Sequence, residues 1–238
     1  MATHIHLSKD AAAVADDFTR YFLEQLAGKT HFTVALSGGS TPQLLFKLWA
    51  TTYRDQINWS AVHFFWGDER CVAPDHADSN YGVTRALLLD HVPIPASQIH
   101  RIHGEADPAQ EAVRYAQVIR EHTQQVDGHP AFDLVLLGMG DDGHTASIFP
   151  DHLELLQDEH PTAVATHPQS GQLRISITGP VINGAQRVAF LVTGAGKHEK
   201  VSAILGREAG CQAFPAAHIQ PATGELHWFL DAAAWGKS

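Results

Sequence analysis

Only two cysteines occur in the 238 residues, Cys71 and Cys211, and neither belongs to a CxxC pair. That excludes a disulfide framework and points to a reducing compartment. No apolar run approaches the ~18 residues of a membrane span. The stretch Met1–Leu7 has no basic region followed by an apolar core, so no secretory signal is read. Positive charge is scarce as well: 16 Lys and Arg against 26 Asp and Glu give a formal net charge of −10. This argues against generic binding to nucleic acid or anionic membrane, which relies on a positive field. An anionic ligand must then be held by a small local set of cations. Repeats, low-complexity tracts and linkers rich in Pro, Gly or Ser are missing too. Residues 1–238 therefore read as a single cytoplasmic domain, long enough to bury about 70–75% of its unfolded surface.

What is present is an apolar period that switches repeatedly between two and about 3.6, the mark of alternating strands and helices. His4 and His6 alternate with Ile5 and Leu7 as in a short strand. Residues 9–27 place Ala12, Ala15, Phe18, Phe22, Leu23 and Leu26 on one helical face. The buried strand 31–36 runs into Ser37-Gly-Gly-Ser-Thr-Pro42, followed by a helix with Leu44, Leu45, Leu48 and Trp49 facing inward. Strand 62–66 ends in Gly67-Asp-Glu-Arg70. Asp78-Ser79-Asn80 caps a helix through Leu89, 99–102 is a short strand, and 108–125 an exposed amphipathic helix. The nearly all-apolar 132–137 suits a parallel strand covered on both faces and empties into Gly138-Met-Gly-Asp-Asp-Gly-His144. Further strands are predicted at 173–178, at 188–193, leading into Gly194-Ala-Gly-Lys197 and a helix to Leu205, and at 228–230. The expected fold is α/β, with an open, mostly parallel sheet covered by helices on both faces. In such sheets ligands bind beyond the strand C-termini, where strand order reverses. Four glycine-bearing loops after strands imply one site.

Each loop has its own chemistry. Gly38 and Gly39 let backbone approach an oxyanion, and the free amides of a helix start favour phosphate, with Ser37, Ser40 and Thr41 beside them. The loop lacks the P-loop lysine and is not a GxSxG elbow, so neither serine is assigned as a nucleophile. In isolation it also reads as a tight turn with a Ser/Thr cap. Asp68 offers an orienting carboxylate and Arg70 a planar fork for phosphate or a developing oxyanion; a solvated charged turn is the plainer alternative. Gly138, Gly140 and Gly143 formally spell GxGxxG. However, Pro150 interrupts the following helix, and the position ~20 residues on falls in loop rather than at a strand end. The glycines instead free the backbone to bring Asp142 and His144 into a cleft, where an imidazole with its tautomer fixed by a carboxylate acts as a base. Metal ligation by Asp141, Asp142 and His144 lacks a second His or Cys at ligand spacing. Arg174 and Lys197 are candidate phosphate ligands, each with a structural alternative as a sheet-edge arginine and a solvated lysine. Cys71 reads as structural, His63 as a core or edge residue, and His198 as exposed.

The blocks Leu36–Pro42, Phe65–Val72, Ser79-Asn-Tyr-Gly82, Leu137–Ser147 and Val192–Lys197 resemble, in order over about residues 10–235, the successive motifs of the 6-phosphogluconolactonase family. The resemblance implies a Rossmann-like sheet shared with glucosamine-6-phosphate deaminases. It also implies a cofactor-free, metal-independent hydrolase of the oxidative pentose phosphate pathway acting on a sugar-phosphate lactone, with no nucleic-acid or membrane partner, as a monomer or small homo-oligomer. The deaminase is the alternative, but its pattern has Asp-Glu-Tyr where this chain has Asp68-Glu69-Arg70. It also carries a glutamate where this chain has Phe149. A non-catalytic sugar-phosphate sensor would need a helix-turn-helix module, for which the ~30 residues before the first core strand are too few. On the lactonase pattern, His144 activates water and returns the proton to the leaving ring oxygen, with Asp142 or Asp68 orienting it. Arg70 faces oxyanion or phosphate, and Ser37–Thr41, Arg174 and Lys197 hold the phosphate.

Overall fold

The computed structural model describes residues 3–126 and 128–237. Its framework is a six-stranded, wholly parallel sheet formed by β1 (Thr3–Ser8), β2 (Phe32–Leu36), β3 (Val62–Trp66), β7 (Leu134–Leu137), β10 (Arg187–Val192) and β11 (Glu225–Asp231). The spatial order is β1-β11-β10-β7-β2-β3. Every residue of β2 and β7 is buried, as their unbroken apolar runs require of strands covered on both faces. The covering helices are α1 (Ala11–Leu26), α2 (Ser40–Thr51), α3 (Asn80–Leu87), α4 (Pro108–His122), α5 (Gly179–Asn183), α6 (His198–Gly206) and α7 (Ala232–Trp235). From β2 the chain builds outward to β3; from β7 it builds the other way, through β10 and β11. Strand order thus reverses between β2 and β7, and the loops leaving these two strands are Ser37–Gly39 and Gly138–His144.

A second sheet lies beyond the end of β3. It is antiparallel, in the order β4 (Asp68–Arg70), β9 (Leu173–Ile177), β8 (Thr162–Thr166). The Gly67–Arg70 turn of the sequence reading is therefore partly a strand, and residues 173–177 do not join the parallel sheet. A hairpin of β5 (Gln124–Val126) and β6 (His129–Ala131) follows α4.

Local readings shift accordingly. Helix α4 stops at His122 and is less exposed than expected: Tyr115 is fully buried, its hydroxyl donating to the Trp66 carbonyl and accepting from the Trp66 amide. In α2 the inward face is Thr41, Pro42, Leu45, Phe46 and Trp49, while Leu44 is exposed, because the helix starts at Ser40 and sets its buried stripe from there. The 99–102 strand reduces to one bridge between Ile99 and Phe64. There the Gln98 side chain donates to the carbonyls of Trp59, Ser60 and Val62.

Histidines gather at both edges of the main sheet. At the β3 edge, His63 Nδ1 lies 3.2 Å from His100 Nε2, with His31 and His122 rings packed against them. Burial, then the neighbouring imidazoles, push His63 down to about 4 and His100 down to about 3. Burial and the histidines at 4 and 6 push His227 down to about 4. A folded-state pKa below the unfolded 6.5 means the unfolded chain binds more protons between the two values. The stabilisation is complete above pH 6.5 and is lost as pH falls toward 4. Thermal melting should therefore drop by several degrees between pH 7 and 4.5, a window above most carboxylate titration. His100→Gln should flatten that slope; an unchanged slope would remove the cluster as its cause.

Candidate active site

Four of the strand-end segments converge on one cleft of about 230 Å³. It is lined by Ser37–Pro42, Asp68, Arg70, Gly138–Gly140, His144, Arg174, Thr193 and Lys197, together with Asn80, Ala146, Leu191 and Val192. Every catalytic or phosphate-binding candidate named from the sequence lines this cleft except Asp142, which contacts the lining residue His144.

The β2 loop enters α2 through Gly39, whose φ of +108° is open to glycine and strained for other residues. Among the described residues no side chain caps this helix start. The alternative reading as a Ser/Thr-capped turn thus finds no cap, and the first-turn amides remain open to an anion. Thr41 Oγ1 meets Thr193 Oγ1 at 2.8 Å, tying this loop to the end of β10.

In the β7 loop, His144 Nδ1 lies 2.6 Å from Asp142 Oδ1, which also accepts the His144 amide at 3.0 Å. Burial pushes the Asp142 carboxyl up, but the His144 amide and imidazole outweigh it and hold Asp142 below the usual carboxylate value. An ionised carboxylate only accepts, so Nδ1 carries a proton, and in the neutral tautomer Nε2 is then the nitrogen with the lone pair. The sequence left Asp142 and Asp68 open as the orienting group; the geometry pairs His144 with Asp142. The turn closes tightly: a Cβ on Gly140 would lie 2.2 Å from His144 Nδ1, so only glycine fits. The imidazole rests on the fully buried Phe149, ring centroids 4.8 Å apart.

Strand alternation sorts Asp68-Glu69-Arg70 between two faces. Glu69 turns away from the cleft and, 2% exposed, accepts from the amides of Arg70, Asn80 and Tyr81 and from the Ser79 hydroxyl. Burial raises its carboxyl above the ordinary value despite those amides. It organises the start of α3 and with it Asn80. Asp68 and Arg70 face the cleft. Asp68, 6% exposed, accepts Ser147 Oγ at 2.6 Å and lies 3.8 Å from the Arg174 guanidinium.

Arg70 and Arg174 stand directly opposite each other in the β4–β9 register. Like charges in that relation destabilise a sheet unless something negative lies between or beside them. Asp68 is the carboxylate paired with Arg174, and the carboxylates of Asp78 and Glu69 add to the negative charge around it. Arg70 donates one further bond, to the Asp78 carbonyl at 2.6 Å. In both arginines Nε is buried with no partner among the described residues. Burial lowers the Arg174 pKa, Asp68 opposes this, and Arg70 adds to it; a guanidinium nonetheless stays charged. Lys197 completes the positive wall, paired among the described residues with the exposed Asp141, whose carboxyl it holds below the usual range. Among the described residues no group of three or more His, Cys, Asp or Glu side chains is arranged to hold a metal ion.

A family model described as glucosamine-6-phosphate isomerases/6-phosphogluconolactonase matches residues 7–228. The chain belongs to this family. A 6-phosphogluconolactonase of Haemophilus influenzae is 45% identical over 222 residues, 93% of this chain and 92% of that one. The crystal structure of a protein called devB is 44% identical, covers 99% of both chains and superposes with a TM-score of 0.95. A 6-phosphogluconolactonase from Trypanosoma brucei is 27% identical over 99% of this chain and 98% of that one, with a TM-score of 0.87. Sequence reasoning did not single out four cleft-side residues: Asn80, Ser147, Thr193 and Ala146. All four lie inside the family blocks and were legible there only as motif members; the left-handed backbone of Ala146, at a φ of +48°, had no signal of its own.

Proposed function

We propose that the chain hydrolyses 6-phospho-D-glucono-1,5-lactone to 6-phosphogluconate. The observation that carries this reading is the placement of one imidazole, held by an ionised carboxylate, in the same cleft as two guanidiniums, one ammonium and an open helix start. His144 Nε2 takes a proton from water as the water oxygen bonds to the lactone carbonyl carbon. The tetrahedral oxyanion is met by Arg70. As the bond to the ring oxygen breaks, the imidazolium returns the proton to that oxygen, giving the open-chain acid. Asp142 stabilises the transient imidazolium. Arg174, Lys197 and the Ser37–Thr41 backbone hold the phosphate, and fixing this remote group aligns the carbonyl. Nothing in this scheme calls for a metal, a cofactor or a covalent intermediate.

The cleft draws on residues from Ser37 to Lys197, and β1 pairs with β11 across almost the full chain, which supports treating residues 1–238 as one domain. Among the described residues no helix is long and apolar enough to cross a membrane. The acidic net charge argues against a nucleic-acid partner, and the reading takes the chain as a cytoplasmic enzyme with a small-molecule partner, a monomer or small homo-oligomer.

The deaminase reading finds no acid where it needs one, because Phe149 is apolar and fully buried beneath His144. Incubated with glucosamine 6-phosphate, the protein should release no ammonium, while the lactone yields one proton and one 6-phosphogluconate per turnover. Ammonium release without lactone turnover would reverse the assignment.

A further inference from the structure

Antiparallel pairing places a second donor on the face of Arg174. Ala165 lies opposite Arg174 and Thr166 opposite Leu173, so the next residue, His167, returns to the Arg174 side. The backbone fixes it there: the His167 amide donates to the Gln172 carbonyl, and the Gly171 amide donates back to His167, both at 2.9 Å. The imidazole then packs edge-on against Phe149, ring centroids 5.2 Å apart and planes at 78°. Phe149 is the same buried ring that carries His144, and the Arg174 guanidinium lies 5.6 Å from its centre. Three polar groups therefore surround one apolar ring. Two belong to the site already described, and the third has no role in it.

The two nitrogens of His167 are not equivalent. Nδ1 faces the amides of Gln169 and Ser170, at 3.3 and 3.2 Å. Both are donors, so Nδ1 must accept and cannot carry a proton without setting N–H against N–H. The ring proton therefore sits on Nε2, which makes no hydrogen bond among the described residues. The electrostatic surroundings agree. Burial, then Arg174 and His144, lower the His167 pKa, with Arg70 adding to them and Asp142 opposing. His167 is not among the residues that line the cleft but stands beside two that do, His144 and Arg174, around the same Phe149 ring, and its outer nitrogen is an N–H donor.

We infer that His167 Nε2–H is a substrate-binding donor that hydrogen-bonds the phosphate beside Arg174. The site gains a further phosphate contact here without a further charge, and the turn amides hold the donor in place before the ligand arrives. The inference deepens the lactonase reading and rests on it for the identity of the phosphorylated ligand.

Equilibrium binding separates this inference from catalysis. The probes are 6-phosphogluconate and unphosphorylated gluconate, titrated calorimetrically into the full chain. His167→Ala should weaken 6-phosphogluconate roughly tenfold, the scale of a hydrogen bond to a charged acceptor, and change gluconate little. Two further variants distinguish a bound donor from a folded turn. Asn places an acceptor near the position of Nδ1 and keeps the turn amides satisfied, but lacks the outer donor, so His167→Asn should bind as poorly as His167→Ala. Gln places an amide near the position of Nε2, so His167→Gln should recover most of the affinity. Wild-type affinity in His167→Ala, recovery in His167→Asn rather than His167→Gln, or equal losses for both probes would each overturn the assignment. None of these outcomes bears on whether the wild-type chain hydrolyses the lactone, which turnover measures separately.

Discussion

Replacing His144 with alanine is expected to lower the lactonase kcat by about 10²–10⁴-fold, the usual contribution of a positioned acid–base group. KM should move far less, because the phosphate contacts lie on other elements. The fold should survive: the His144 side chain is 25% exposed and its carboxylate partner 43%, so melting temperature and the far-ultraviolet spectrum should stay near wild type. Asp142→Asn should fall between the two proteins. It leaves the imidazole in place but no longer dictates which nitrogen carries the proton, and it removes the charge that stabilises the imidazolium. Wild-type turnover in His144→Ala, measured on correctly folded protein, would remove this residue from the base role.

The second large effect is expected at Arg174. The residue is 8% exposed, stands opposite Arg70 across β4–β9 and leaves Nε without a partner among the described residues. Losing a charge-assisted contact to phosphate costs about 1.5–3 kcal/mol, which corresponds to roughly 10–150-fold in kcat/KM. The loss in Arg174→Ala should fall on the phosphorylated lactone and spare the unphosphorylated one. Arg174→Lys should recover only part of it, since an ammonium offers no planar fork. Lys197→Ala should show the same selectivity with a smaller loss, because Lys197 sits at the solvent edge beside Asp141. If phosphorylated and unphosphorylated lactones lose equally, Arg174 does not read the phosphate.

The differing legibility of these two residues in the sequence has a physical origin. Asp142 and His144 are two positions apart in one glycine-bounded loop, so a local contact was readable from spacing. Strand-then-glycine segments likewise announced the cleft, because apolar runs covered on both faces fix where parallel strands end. Arg70 and Arg174 are 104 positions apart, and their opposition depends on the pairing of β4 with β9. No local period encodes that register, so the charged run at 67–70 looked like a turn. Glu69 illustrates the same gap. Beside Asp68 in the sequence it looks like a second acid of the site, yet the alternation of a three-residue strand sends it under α3. Leu44 shows a subtler one: four apolar residues fit an inward stripe, but the starting point of α2 decides which of them are covered.

The most direct test of the account follows 6-phospho-D-glucono-1,5-lactone by NMR, generated in situ, with and without the protein, so that spontaneous ring opening is subtracted. The account predicts acceleration proportional to protein concentration, with 6-phosphogluconate as the product. A folded protein that leaves the spontaneous rate unchanged would contradict it.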